Sequence, residues 1–316
     1  MKQKSFKRRN RFSWWIWLTL GLALALMVIL FGKPLYLFTN AWLRDKPVVE
    51  ELPPGYADDA SRMNRANVAE VRAIPADPAA AESQLRELIK HARSRRLRVA
   101  IAGARHSMGG HTIYPEGIVI DMLPFNRMEL STENQTLNVG AGARWSEIIP
   151  YLDSRGYSVA IMQSNNNFSV GGSISVNCHG WQHNQPPIAS TVRSFRLMKA
   201  DGAIVRRSRS ENAELFSLAL GGYGLFGFIL DVELQVVPNE RYLPEAEVLA
   251  SDRYVPRFAE KVDGNPGVGM VYGRLCAVPG EKTFLREAIL TAWRRSPSKR
   301  SAAYSIRIIL KSAPRV

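Results

Sequence analysis

The chain has 316 residues, room for one large domain or two smaller ones, and 46% of them are apolar, so a sizeable core is expected. The net charge of +14 sits almost wholly at the ends: residues 1–12 hold six Lys/Arg and no acid, and residues 281–316 hold nine against Glu281 and Glu287. The body between is nearly neutral, which argues against a charged folded face for phosphate backbones, so no nucleic-acid partner is expected. Two cysteines, Cys178 and Cys276, exclude a disulfide-framed scaffold.

The first predicted element is a membrane span. "KQKSFKRRNRF" is basic, and Trp14–Gly32 runs 19 positions without a charge, close to the roughly 20 residues that cross a bilayer. Trp14, Trp15 and Trp17 are expected at one interface, and Tyr36 and Trp42 near the other. A cleaved signal peptide shares the basic start, but its apolar stretch runs only ~7–15 residues and ends at a small-residue cleavage site. Residues 1–43 are therefore read as an uncleaved, single-pass signal anchor. Its N-terminus is cytoplasmic and the folded body lies across the membrane. Residues 44–66, rich in Pro, Asp and Arg, read as a linker.

The domain that follows, 67–239, alternates strands and helices, which predicts an α+β class. "NVAEVRAIP" reads as a strand, and Asp77 then caps a helix with Pro78 at its first position. Leu85, Leu88, Ile89 and Ala92 form the apolar stripe of that helix. "LRVAIAGA", "EGIVIDM" and "TLNVGAG" read as strands, "RWSEIIPYLDSRG" as a helix stopped by Gly156, and "YSVAIM" as a strand. Beyond Pro238, residues 240–316 are expected to begin a second domain, with a helix over "KTFLREAILTAWRRS" and a basic tail.

Three glycine-rich segments punctuate this order, each beside a strand: "IAGARHSMGG" (101–110), "FSVGGSISVNCHG" (168–180) and "LALGGYGLFGFIL" (218–230). Any one glycine cluster serves a tight turn. Three together predict a long ligand laid against backbone N–H groups, and a diphosphate-containing cofactor meets that description. The dinucleotide fingerprint G-x-G-x-x-G and the phosphate loop G-x-x-x-x-G-K-[ST] are both absent.

These residues resemble the FAD-linked oxidases with the vanillyl-alcohol-oxidase (PCMH-type) flavin fold, a family that includes cytokinin dehydrogenases and aldonolactone and alditol oxidases such as arabinono-lactone oxidase. The resemblance spans Val68–Pro238. It implies an FAD domain of two α/β subdomains, followed by a substrate domain. In relatives a strand leads into a Gly-x-Gly-His-Ser turn at the pyrophosphate, whose histidine is often bonded to the flavin 8α-methyl group. Here Ala102, Gly103, Ala104, Arg105, His106, Ser107, Gly110 and His111 occupy that turn, with Arg105 in place of the second glycine. "SVGGSIS" resembles the second FAD segment and implies contacts from Ser164, Ser169, Gly171, Gly172 and Ser175. His179 and Gly180 resemble the His-Gly pair of the lactone oxidases. Gly227 and Ile229 fall in the closing segment.

The resemblance implies FAD, held either non-covalently or through a covalent bond to His106, and hydride transfer from a CH–OH or CH–NH donor such as a sugar lactone or alditol. The electrons then pass to oxygen or to a membrane redox carrier. Relatives bind substrate and take the donor's proton with residues that fall beyond Val316, so no catalytic residue is assigned and a C-terminal truncation is expected. Two other readings differ in class. One is a non-catalytic, membrane-tethered flavin-binding remnant. The other is a metal hydrolase using His106, His111, Cys178, His179 and His183, whose spacings match the usual zinc patterns poorly.

Overall fold

In a computed structural model, residues 11–44 and 52–296 are described. They divide between Leu52 and Pro53 into two compact units. The first contains helix α1 (Arg11–Arg44), whose Trp17–Asn40 segment is long and apolar enough to cross a membrane by length and composition. Trp17, Tyr36 and Trp42 are all exposed on it. The basic leader before Arg11 and the side chains of Trp14 and Trp15 lie outside the described residues.

The second unit opens with a short antiparallel pair, β1 (Tyr56–Ala57) and β2 (Ala66–Asn67). Both strands belong to the stretch expected as linker or its border, yet Ala57 and Asp59 are buried. Asp59 accounts for the difference: its carboxylate gathers donors from Ser61, Asn64 and Gly110, so polar composition here folds a strap instead of a free tether.

A parallel sheet follows in the order β3 (Glu70–Ala73), β5 (Ile118–Asp121), β4 (Val99–Ala102). Helix α2 (Pro78–Arg95) covers it. Asp77 Oδ1 accepts the Ala80 N–H at 2.8 Å, and Pro78 opens the helix where a missing N–H costs nothing. Its buried face is Ala81, Leu85, Leu88, Ile89 and Ala92, as the periodicity predicts.

A larger antiparallel sheet runs β10 (Ile204–Ser208), β9 (Val192–Met198), β11 (Phe228–Pro238), β7 (Thr136–Gly140), β6 (Met128–Ser131), with β8 (Tyr157–Val159) paired to the end of β11. Helices α3 (Trp145–Asp153) and α5 (Ala213–Ala219) pack on it, bringing the fully buried Trp145 and Phe216 into its core. The second sheet is thus antiparallel, whereas the first is parallel. Met198 and Leu230 belong to the core beneath α2, so the two sheets share apolar contacts. Arg196 adds a polar tie, donating to both oxygens of Asp231 and to Glu82 on α2 at 2.7 Å.

The C-terminal part is a three-stranded antiparallel sheet in the order β12 (Tyr242–Ala250), β14 (Glu287–Arg295), β13 (Val268–Leu275), with α6 (Tyr254–Lys261) beside it. The helix expected over "KTFLREAILTAWRRS" is instead a turn followed by strand β14. Ala288, Leu290 and Ala292 are buried at every second position, a period of two that the apolar run conceals. The sheet is joined to the rest of the second unit through Trp181, whose carbonyl accepts the Val271 N–H at 2.8 Å and whose ring stacks on Trp293 at 5.0 Å. The basic tail from 297 onward lies outside the described residues.

Candidate functional site

The three glycine segments meet in one cleft. The first leaves β4 at Ala102 and carries Gly103, Ala104, Arg105, His106 and Ser107 along one wall. The second is not a turn, as expected, but a six-residue helix, α4 (Val170–Ser175). Gly171 lets it lie against the end of β7: a Cβ there would stand 3.0 Å from the Ala141 carbonyl oxygen, and the Gly171 N–H bonds that same oxygen at 2.8 Å. The third docks on the C-terminal end of α4, with Gly221 N–H to Ile174 O and Tyr223 N–H to Ser175 O, both at 2.9 Å.

Contacts between segments are close. A Cβ on Gly103 would fall 2.0 Å from Ser169 Oγ, and one on Gly224 would fall 3.3 Å from Ile101 Cδ1. Together the walls enclose about 520 Å³, within the range of small-molecule and cofactor sites. Val99, Ile101, Met122 and Ile229 make the floor apolar, while the histidine turn supplies polar groups.

Of the expected site residues, the cleft brings together Gly103, Ala104, Arg105, His106, Ser107, His111, Ser169, Gly171, Gly172, Ser175, Gly227 and Ile229. Five others stand away from it. Ala102 is fully buried in β4. Gly110, at φ +69°, gives its N–H to Asp59 at 2.8 Å and so fixes the loop from behind. Ser164 is exposed in the loop before Phe168, and His179 is exposed beside Gly180. Gly180 itself makes room for Met162, whose carbonyl oxygen a Cβ would meet at 2.0 Å.

Sequence reasoning missed two aromatic neighbours. Phe168 packs on His106 with ring centroids 4.5 Å apart, and Tyr223 sits 5.6 Å from His111. Both lie inside segments already marked by glycine, but only the fold pairs them with the histidines. Burial, reinforced by the Arg144 charge, holds the His106 imidazole below its ordinary pKa of 6.5 and keeps its ring neutral. Cys178 also borders the cleft. Burial pushes its thiol up to about 11, so the thiol is protonated at neutral pH. Among the described residues, no group of three or more His, Cys, Asp or Glu side chains is arranged to hold a metal ion.

Arg105 departs most from sequence rules. Its φ is +55°, a region that favours glycine and costs other residues roughly 1 kcal/mol or more. Its Nη2 lies 3.5 Å from Asp121 Oδ2, and its carbonyl accepts the Ala60 N–H at 2.8 Å. Among the described residues, three buried polar atoms in the cleft lining have no protein partner: Arg105 Nε, Ser107 Oγ and Thr112 Oγ1. Such atoms fit a ligand rich in oxygen acceptors and donors, since buried polar groups are ordinarily paired.

Residues 78–208 match the family model described as an FAD binding domain. This segment is an FAD-binding domain. The comparison with curated proteins agrees: the chain is 31% identical over 157 residues to L-gulonolactone oxidase of Mus musculus, covering 49% of this chain and 36% of that protein. It is 29% identical over 190 residues to the mitochondrial L-galactono-1,4-lactone dehydrogenase of Arabidopsis thaliana, covering 60% and 31%. With cytokinin dehydrogenase 2 of Oryza sativa subsp. japonica it shares 25% over 216 residues, covering 63% and 37%. The matched region thus spans about a third of the length of these relatives. The cofactor of the FAD domain is FAD, and the glycine-lined cleft with its orphaned polar atoms suits a diphosphate-bearing dinucleotide.

Proposed function

We propose that the chain is the flavin-binding part of an FAD-dependent oxidoreductase that oxidises a CH–OH donor, with a sugar lactone or alditol as the substrate class. The convergence of three separate glycine segments on one cleft carrying His106 in its wall is the observation that carries this reading. The names of two relatives, L-gulonolactone oxidase and L-galactono-1,4-lactone dehydrogenase, support the lactone class. Bound FAD supplies the two-electron redox chemistry, while the protein supplies binding and orientation.

Each residue has a defined task in this reading. Gly172 leaves space for close approach of backbone to cofactor, while Gly171 seats helix α4 against Ala141. His106, neutral and backed by Phe168, offers a ring nitrogen for a covalent bond to the flavin 8α-methyl carbon. Ser107 and Thr112 offer hydroxyls to the cofactor's polar atoms. Residues 67–239 form the FAD domain in this division, and 240–316 contribute to a substrate or cap domain. Helix α1 serves as a single-pass membrane anchor with the FAD domain on the far side. Oxygen or a membrane redox carrier takes the electrons.

Denaturation tests the attachment directly. Acid-precipitated protein should remain yellow, and the peptide containing His106 should carry the added mass of FAD. His106→Ala should remove the adduct, whereas His111→Ala should keep it. An adduct that vanishes only in His111→Ala would move the attachment to that residue. Flavin that washes out of the unmutated protein would make binding non-covalent. Deletion of residues 1–33 tests the anchor: the FAD domain should become soluble with cofactor bound.

A further inference from the structure

We propose that Arg105 is an anion-recognising residue of the cleft, whose guanidinium holds the diphosphate of FAD. This rests on the cofactor reading above and assigns a charge-specific role to a side chain standing where the resembled motif has glycine.

Three observations converge on it. First, the side chain borders the cleft instead of leaving for solvent, although its backbone sits at a φ of +55° that a glycine would occupy without strain. Second, its charge is only half answered within the protein. The nearest carboxylate, Asp121, is 3.5 Å away at one nitrogen, longer than the roughly 2.7–2.9 Å of a strong charged hydrogen bond. Asp121 is also engaged elsewhere, accepting the Leu123 N–H at 3.0 Å. The Nε of Arg105 is buried with no partner among the described residues. Third, the cleft lining contains no Asp or Glu among the described residues, while Arg105, His106 and His111 all border it. With His106 held neutral, Arg105 is the permanent positive charge of the described cleft lining.

A guanidinium whose Nε–H has no protein partner, bordering a cleft lined by no carboxylate, is suited to phosphate oxygens. The glycine segments supply backbone donors that any diphosphate can use. Arg105 adds a contribution that depends on charge, so it should sharpen the preference for FAD over a flavin without phosphate.

The test measures FAD and riboflavin dissociation constants by flavin fluorescence, using the full chain in detergent. A His106→Ala background run in parallel keeps binding reversible. Arg105→Gly should weaken FAD about tenfold, the effect of one charge-assisted hydrogen bond, and leave riboflavin unchanged. Arg105→Lys should retain part of the preference, and the salt dependence of FAD binding should become shallower in Arg105→Gly. Because glycine suits φ +55°, the ligand-free Arg105→Gly protein should melt no lower than the unmutated one. Equal weakening of FAD and riboflavin would make Arg105 a shaper of the turn and overturn the proposal. Unchanged FAD affinity with a lowered melting point would reduce it to a structural partner of Asp121. If the unmutated protein bound riboflavin but preferred FAD no more strongly than Arg105→Gly does, the inference alone would fall. If it bound neither flavin, the cofactor reading would fall with it.

Discussion

The turn bearing His106 and the helix bearing Gly171 face the same cleft, but they are held in place by different forces. The histidine turn is fastened by the strap before it, through two side chains and one backbone bond. Asp59 takes the Gly110 N–H at 2.8 Å, Asn64 reaches the Met108 carbonyl at 3.3 Å, and Ala60 N–H bonds the Arg105 carbonyl. Helix α4 is fastened by backbone against backbone, with Gly171 on Ala141, Val170 on Ala143 and Gly221 on Ile174. Fully buried Trp145 locks it further through its Nε1 bond to Ser173 Oγ at 2.9 Å. A wall of backbone contacts tolerates no added volume. A wall fastened by polar side chains can loosen while the fold persists, since loop opening costs less than global unfolding.

The largest expected effect tests the rigid wall with two neighbouring glycines. In Gly171→Val the new side chain meets Ala141 O and Cβ at 3.0 Å, and the helix cannot retreat without breaking its own bond to Ala141. We expect a loss of about 3 kcal/mol in stability, read by thermal unfolding in far-UV circular dichroism. In Gly172→Val the added group meets only Ser169 Oγ at 3.2 Å and otherwise points at the cleft. That variant should fold with a near-normal melting point and lose flavin. If both variants melted alike, the wall would not discriminate structural from cofactor-facing glycines.

A smaller effect tests the side-chain-fastened wall. Asp59 is buried and uses both carboxylate oxygens, Oδ1 for Ser61 and Oδ2 for Gly110 and Asn64. A side-chain amide at this position presents only one acceptor oxygen, so Asp59→Asn leaves one set of donors unpaired. Global melting should change little, while trypsin cleavage at Arg105 should accelerate about tenfold, the equivalent of one lost hydrogen bond to a charged group. Unaltered cleavage would mean that the strap does not hold the turn.

This contrast explains what was legible in the sequence. Helix α2 announced itself through Asp77, Pro78 and the spacing of Leu85, Leu88, Ile89 and Ala92, because capping and periodicity are local. The histidine turn was legible because its glycines follow directly on the apolar strand β4. The strap at 56–67 was not: its residues are polar, and what orders them is Gly110, some fifty positions later. The same holds for Phe168 and Tyr223, whose pairing with His106 and His111 depends on which segments the sheets bring together. Strand β14 failed for a different reason. "EAILTAW" suits either period, and pairing with β12 and β13 decides it.

The smallest effect resolves, by pH, two groups of the histidine-turn wall. The His106 imidazole is held below 6.5 by burial and by Arg144. The unfolded chain therefore takes up this proton first as pH falls, and the folded state loses stability between 6.5 and its own lower value. Above 6.5 the contribution of this group is complete and flat. Asp59 behaves in a lower window. Burial opposes its ionisation, but the donors from Ser61, Gly110 and Asn64 outweigh burial and place its carboxyl below the ordinary 3.8. Its contribution is complete above 3.8 and is lost as pH falls from there through the folded value. Melting temperatures of cofactor-free protein should thus show a shallow slope below pH 6.5 that His106→Gln removes, and a separate acid limb that Asp59→Asn removes. A slope near pH ~6 that survives in His106→Gln would assign it to another group, and the neutral ring required for flavin attachment would lose its support.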